Sequence, residues 1–159
     1  MDATEKWGLP PDFAPVRFSI PDDAKIAVRA QLGADEPVLV SFSNEEELVS
    51  IVATPGRILS VRAQELGVGA GTAQVKSFPF PAVFDLTLRP QTSTATLVIE
   101  YRTSDGGKTV EIGRRALLAK PKSDTFLGFG KVEGEAAFRA LLQLWNWKRA
   151  QSQTESEAG

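Results

Sequence analysis

The sequence predicts a mainly β protein, in which seven antiparallel strands form a barrel or a sandwich and a C-terminal helix follows them. Three observations predict this fold. Apolar and polar residues alternate in short segments, turn dipeptides separate these segments, and one longer segment near the C-terminus has helical periodicity. A short helix is expected before the first strand. The 159 residues are enough for one domain with a continuous core.

The clearest pair of strands lies in residues 48–64. In the second half, apolar Leu59, Val61 and Ala63 alternate with polar residues, which is typical of a strand with one buried face. The first half is rich in β-branched residues. Pro55-Gly56 lies between the halves and favours a tight turn, because proline presets the first turn dihedral and glycine accepts a positive φ. We therefore expect a hairpin here.

The N-terminal part is predicted as an extended arm, residues 1–21, followed by a short helix over residues 23–32. Prolines prevent a helix in the arm, whose apolar side chains favour docking on its own domain or on another chain. Asp22 or Asp23 is the expected N-cap of the helix, and Gly33 is the expected left-handed C-cap. One helical face collects five apolar residues, namely Ile20, Ala24, Ala27, Val28 and Leu32.

The remaining strands follow from the same alternation. They are expected near residues 38–42, 73–78, 84–89, 95–102 and 110–112. Phe78-Pro79-Phe80-Pro81 predicts an edge, a bulge or a loop, because proline lacks the amide that a central strand needs. Ser104-Asp105-Gly106-Gly107 predicts a hairpin turn. In the strand over residues 84–89, Phe84, Leu86 and Leu88 are expected to share the buried face.

The last element is predicted as an amphipathic helix over residues 133–150, with a disordered polar tail over residues 151–159. The domain is thus expected to span residues 22–150. Phe138, Leu141, Leu142 and Trp145 have the i, i+3, i+4, i+7 spacing of one apolar stripe. Leu144 and Trp147 lie off this stripe.

Seven strands followed by one long helix resemble the bacterial pleckstrin-homology-like (PH-like) domains. Thr54-Pro55-Gly56-Arg57 resembles their threonine-x-x-arginine hairpin, and Phe78-Pro79-Phe80 resembles their phenylalanine-proline-aromatic stretch. The resemblance covers roughly residues 37–150. It implies a barrel whose open end the helix plugs. Phosphoinositide-binding members carry basic residues in the first loop, where this chain has Asn44-Glu45-Glu46-Glu47, so the resemblance does not imply headgroup binding at that site.

Composition excludes several kinds of chemistry. The chain has no cysteine and no histidine, so it has no thiol nucleophile, no thiolate or imidazole metal ligand and no Ser-His-Asp triad. We expect no enzyme, no cofactor and no metal. A net charge of −2 argues against nucleic-acid binding. The N-terminus lacks a signal pattern, and no apolar run is long enough to span a bilayer, so a cytoplasmic location is expected.

The expected function is a non-enzymatic protein-interaction or assembly module. Leu144 and Trp147 are the candidate partner-binding residues, because a tryptophan off the core stripe is typical of an interface. The partner would be another protein or a second copy of the chain. The opposing interpretation is that the N-terminal arm, with Trp7 or Phe13, covers Trp147.

The alternative function is binding of a small apolar ligand or of a lipid surface. Arg114, Arg115, Lys120 and Lys122 form the basic cluster that would contact a membrane or an acidic partner. The three glutamates of residues 45–47 and the glycine-rich residues 67–71 are interpreted as a solvated turn and a hairpin loop, rather than as cation and phosphate sites.

Overall fold

The computed structural model of the chain describes residues 7–43, 49–63, 73–90, 94–112 and 129–158. These residues form two sheets and two helices. The strands are β1 (Val16–Arg17), β2 (Val40–Ser43), β3 (Val49–Ala53), β4 (Arg57–Ala63), β5 (Ala73–Pro79), β6 (Val83–Pro90), β7 (Thr94–Thr103), β8 (Gly106–Ile112) and β9 (Phe129–Gly130). The helices are α1 (Asp22–Gln31) and α2 (Lys131–Ala158), and a 3₁₀ turn, Phe80–Ala82, joins β5 to β6.

The first sheet has the order β1-β2-β3-β4-β5, and its last four strands form an antiparallel meander. The predicted hairpin is confirmed, because Val49 pairs with Arg62 and Ala53 pairs with Ile58. In its turn, the Thr54 amide donates to the Arg57 carbonyl over 3.0 Å. β1 adds to β2 in parallel. The described part of the N-terminal arm is therefore packed on its own chain.

The second sheet is an antiparallel meander, β6-β7-β8, and the short β9 also pairs with β7. The turn between β7 and β8 lies at the predicted place. Thr103 pairs with Gly106, and Ser104 and Asp105 form the turn. Gly106 has a φ of +114°, a left-handed value that glycine adopts without strain. β9 is not among the strands that the sequence predicted.

The main core lies between the two sheets and α2. Its fully buried side chains come from every layer, and include Phe42, Ile51, Ile58, Leu97, Ile99, Phe129 and Leu141. No described strand of one sheet pairs with a described strand of the other. In place of the single closed barrel that the resemblance to PH-like domains implied, these residues form two sheets with the long helix packed on both.

Helix α1 packs on the outer face of the first sheet. Its Ala24 and Val28 are buried against Val52, Leu59 and Val61, in a second apolar cluster separate from the main core. The predicted apolar face of this helix is confirmed, since Ile20, Ala27 and Leu32 pack against the same cluster. The prediction that β4 has one buried face is wrong. Ile58 and Leu59 are both fully buried, because α1 covers the second face.

The predicted ends of α1 need correction. Pro21 is the N-cap, and no side chain caps the helix, so Asp22 and Asp23 lie within the first turn. Their charges there favour the helix through its dipole. Gly33 is not a left-handed cap. The Leu32 amide donates to the Val28 carbonyl over 3.1 Å, and the Gly33 amide donates to Oε1 of Glu36 over 3.0 Å.

Helix α2 begins at Lys131 and continues through the predicted end at Ala150 to Ala158. The predicted end is wrong, because the helix runs into the segment that was expected to be a disordered tail. Neither described helix has a stretch long and apolar enough to cross a membrane.

Candidate functional site

A cleft of about 460 Å³ opens where the 3₁₀ turn, the start of β6 and α2 meet. Its apolar lining comes from the turn and β6, and its charged lining comes from β7 and α2. The lining residues are Phe80, Pro81, Val83, Phe84, Arg102, Lys148 and Arg149. They include three cations and no carboxylate, so the cleft presents a positive field to a ligand.

Two hydrogen bonds fix the walls of this cleft. The indole Nε1 of Trp145 donates to the Val83 carbonyl over 3.0 Å, which holds α2 against the first residue of β6. The Phe80 amide donates to the Gly56 carbonyl over 3.0 Å, which holds the 3₁₀ turn against the β3–β4 hairpin. Phe80 itself is buried. The cleft therefore lies between elements that the main core and these bonds position.

Phe84 is 41% exposed, so the prediction that it shares the buried face of its strand is wrong. The cause is a bulge. Val83 pairs with Tyr101 and Asp85 pairs with Glu100, so one extra residue of β6 has no partner on β7. The alternation shifts by one residue there, and Phe84 points out of the core. Arg102 lies over its ring at 5.4 Å.

The two helical cations of the cleft also lie over aromatic rings. The Arg149 guanidinium is 4.7 Å from the Trp145 ring centre, and the Lys148 ammonium is 5.6 Å from the Trp147 ring centre. Such contacts hold the charged groups themselves, because the face of an aromatic ring attracts a cation. The cleft thus combines held cations with one exposed aromatic ring.

A second polar cluster lies on the other side of the hairpin, around Arg57. Its guanidinium donates to both carboxylate oxygens of Glu36, from Nε to Oε2 over 2.9 Å and from Nη2 to Oε1 over 2.8 Å. Nη2 also donates to the Gln31 carbonyl over 2.6 Å, and the Thr54 hydroxyl donates to Oε2 over 2.7 Å. We call this group the Glu36–Arg57 cluster.

Among the described residues, the largest pKa shift occurs in the Glu36–Arg57 cluster. The Arg57 hydrogen bonds lower the pKa of Glu36 from 4.5 to about 2, against the opposing effect of burial, and the bonds from Gly33 and Thr54 act in the same direction. Glu36 reciprocally raises the pKa of Arg57. All of these groups are paired with one another, so the cluster connects the end of α1 to the hairpin turn rather than offering a reactive group.

Leu144 and Trp147 do not lie where the sequence prediction placed them. Leu144 is fully buried in the main core, so it is not a surface residue. Trp147 is half-buried against the same core, and its indole Nε1 donates to the Gly8 carbonyl over 2.9 Å. Trp147 therefore contacts the N-terminal arm through Gly8, as the opposing interpretation expected, although the bond is to the backbone and not to Trp7 or Phe13. Leu9 and Phe13 of the arm are themselves buried in the main core.

Replacing Trp147 with phenylalanine is expected to loosen the arm. The substitution removes the bond to Gly8, which should cost about 1 kcal/mol and raise the amide exchange rates of residues 8–13. Hydrogen-exchange mass spectrometry measures this effect. Trp145→Phe is the control, because its lost bond is to Val83 and not to the arm. Equal protection of the arm in wild type and Trp147→Phe would show that this bond does not hold it.

Several predicted site residues lie outside the described residues. These are Arg114, Arg115, Lys120 and Lys122, and also the acidic residues 45–47 and the glycine-rich residues 67–71. Their proposed roles stay predictions. In the part of the chain that the structure describes, no three acidic side chains come together as a metal site would need.

Comparisons with known proteins leave the family of this chain open. No family model and no curated protein matches the sequence. Among solved structures, the chain is similar to the hSac2 domain from the human phosphoinositide phosphatase Sac2, with a TM-score of 0.41 and 12% sequence identity. The match covers 79% of this chain and 84% of that one. A likeness at this level does not assign the chain to a family.

Proposed function

We propose that this protein is a non-enzymatic interaction module with a PH-like fold, which binds an extended acidic segment of another protein in the cleft beside β6. The observation that carries the proposal is the cleft itself, where an outer strand, an exposed phenylalanine and three cations lie together. The order of elements supports the PH-like assignment. A four-stranded meander, β2 to β5, is followed by a three-stranded meander, β6 to β8, and by a long C-terminal helix.

The strand at the cleft is suited to backbone pairing with a peptide. β6 is the outer strand of its meander, and no described strand pairs with it on the side away from β7. An outer strand offers backbone amides and carbonyls that an extended peptide can pair with, while pockets beside it accept alternate side chains. The cleft at Val83 and Phe84 would be such a pocket for a peptide lying along β6.

The charges of the cleft favour an acidic partner. Arg102, Lys148 and Arg149 all line it, and none of the described residues that line it is acidic. Arginine recognises carboxylates through paired hydrogen bonds, so the two arginines favour aspartate or glutamate in the bound segment. Phe84 adds apolar area, and aromatic and arginine side chains are enriched where protein partners bind.

Selection of short random peptides displayed on phage tests the proposal. Wild-type protein is expected to enrich peptides that carry aspartate or glutamate beside an apolar residue. Their affinity should fall as salt rises, and should fall about tenfold in Arg102→Gln/Arg149→Gln. Lys25→Gln/Arg29→Gln is the control, because it removes two exposed charges from α1 instead. Absence of enrichment, or equal binding to all three proteins, would contradict the proposal.

A second copy of the chain is an alternative source of the acidic segment. Light scattering over a range of protein concentrations distinguishes the two sources. Self-association that Arg102→Gln/Arg149→Gln abolishes would assign the cleft to assembly, whereas a monomer that binds the selected peptides would assign it to a different protein.

A further inference from the structure

A second concave site lies between α1 and the strand segment that precedes it. It has a volume of about 360 Å³ and shares no lining residue with the cleft beside β6. Val28 and Val52 form its buried floor, and its walls come from partly buried apolar residues, namely Phe18, Ile20, Leu32 and Val38. We call this site the α1 groove.

The floor of the α1 groove has one polar side chain, which is already paired. Ser41 is buried there, and its hydroxyl donates to the Phe18 carbonyl over 2.8 Å. A ligand that reaches the floor therefore meets apolar surface and one satisfied hydroxyl. Such an environment suits a hydrocarbon chain, because a polar group placed there would lose its bonds to water without replacement.

The rim of the α1 groove is positively charged. Arg17, Lys25 and Arg29 line it, and its described lining residues include no carboxylate. Arg17 uses Nε to bond the Val38 carbonyl over 2.7 Å, which holds its guanidinium at the rim. The ammonium of Lys25 lies 3.8 Å from the highly exposed carboxylate of Asp22, which is a long contact for an ion pair. All three cations are exposed, so they are accessible to an anionic group at the mouth of the groove.

We propose that the α1 groove binds a small amphipathic carboxylate of the fatty-acid type, with its chain on the partly buried Ile20, Leu32 and Val38 and its carboxylate at the basic rim. The volume limits the size of this ligand. The groove is an open site of about 360 Å³, which suits a short hydrocarbon chain such as that of decanoate. The positive charges of the rim favour a ligand with a carboxylate over an uncharged lipid of the same chain length.

Titration of the full chain with decanoate, followed by NMR of labelled methyl groups, tests this proposal. We expect saturable binding with a dissociation constant of about 1 mM or tighter, and shifts of the Ile20, Leu32 and Val38 methyl signals. Decanol carries the same chain without the charge and should bind about tenfold more weakly. Shifts confined to Val83, which lines the other cleft, would overturn the assignment of the site.

Two double variants, each lacking two positive charges, test whether the basic rim binds the carboxylate. Lys25→Gln/Arg29→Gln should weaken decanoate binding about tenfold while leaving decanol binding unchanged. Arg102→Gln/Arg149→Gln removes the same number of charges from the cleft beside β6 and should leave both affinities unchanged. Absence of saturable decanoate binding to the wild type would overturn the proposal, as would equal decanoate affinities of the wild type and Lys25→Gln/Arg29→Gln. Neither result bears on peptide binding beside β6.

Discussion

Glu36→Gln is expected to lower the free energy of unfolding at neutral pH by about 3 kcal/mol. The substitution removes the charge that pairs with the Arg57 guanidinium, whose side chain is only 24% exposed. It leaves a partly buried cation facing an amide, and it weakens the bond from the Thr54 hydroxyl. Urea denaturation monitored by tryptophan fluorescence measures the loss. Asp23→Asn, which removes an exposed charge from α1, should change stability by less than about 1 kcal/mol.

The dependence on pH provides a second readout of the same cluster. The pKa of Glu36 is about 2 in the folded protein, against 4.5 for an ordinary glutamate. Because the folded-state pKa is depressed, the ionised carboxylate stabilises the fold fully above pH 4.5, and this contribution disappears as the pH falls towards 2. The difference in free energy of unfolding between the wild type and Glu36→Gln should therefore shrink as the pH falls from 4.5 towards 2. A constant difference between the two proteins down to pH 2 would show that the charge of Glu36 is not the cause.

Leu144→Ala is expected to lower the free energy of unfolding by about 3 kcal/mol. Leu144 is fully buried in the main core, and the truncation would leave a cavity that the rigid sheets around it fill only in part. The same denaturation experiment measures this loss. Val132→Ala is a control on the same helix, because Val132 is 83% exposed and its truncation should change stability by at most about 0.5 kcal/mol. If Leu144→Ala unfolds with the same free energy as the wild type, Leu144 is not a core residue and is again a candidate for partner binding.

The strands could be predicted because their signals are local. The alternation around Leu59 and the turn at Pro55-Gly56 lie within one stretch of chain, and the structure pairs its two halves as expected. What the alternation missed was the burial of both faces of β4, since α1 packs there from an earlier part of the chain. The neighbouring pair Ile58-Leu59 was the available signal, because two adjacent apolar residues in a strand point to opposite faces.

The error at Leu144 has a similar cause. Counting only large apolar residues predicted a stripe through Phe138 and Leu142, which are in fact half-buried. The buried face of α2 has the same spacing but begins with alanines, at Ala137, Ala140, Leu141 and Leu144. Small residues allow a helix to approach a sheet closely, so including alanine would have predicted the correct face.

The candidate sites depended on contacts that no local pattern contains. The threonine-x-x-arginine hairpin was recognised, but its partner Glu36 lies 21 residues before Arg57 and became visible only in the folded chain. The cleft beside β6 depends on the bulge at Phe84 and on cations from β7 and α2. A single extra residue in a strand leaves little trace in the sequence, although it determines which side chains face outward.

Amide hydrogen exchange of the protein with and without a selected acidic peptide tests the central claim most directly. If the peptide pairs with the outer edge of β6, amide exchange should slow in residues 84–89. In NMR spectra of the same samples, the aromatic signals of Phe84 should shift. Arg102→Gln/Arg149→Gln should show neither change at the same peptide concentration. Protection confined to α1, or binding without any protection of β6, would contradict recognition of an extended acidic segment in this cleft.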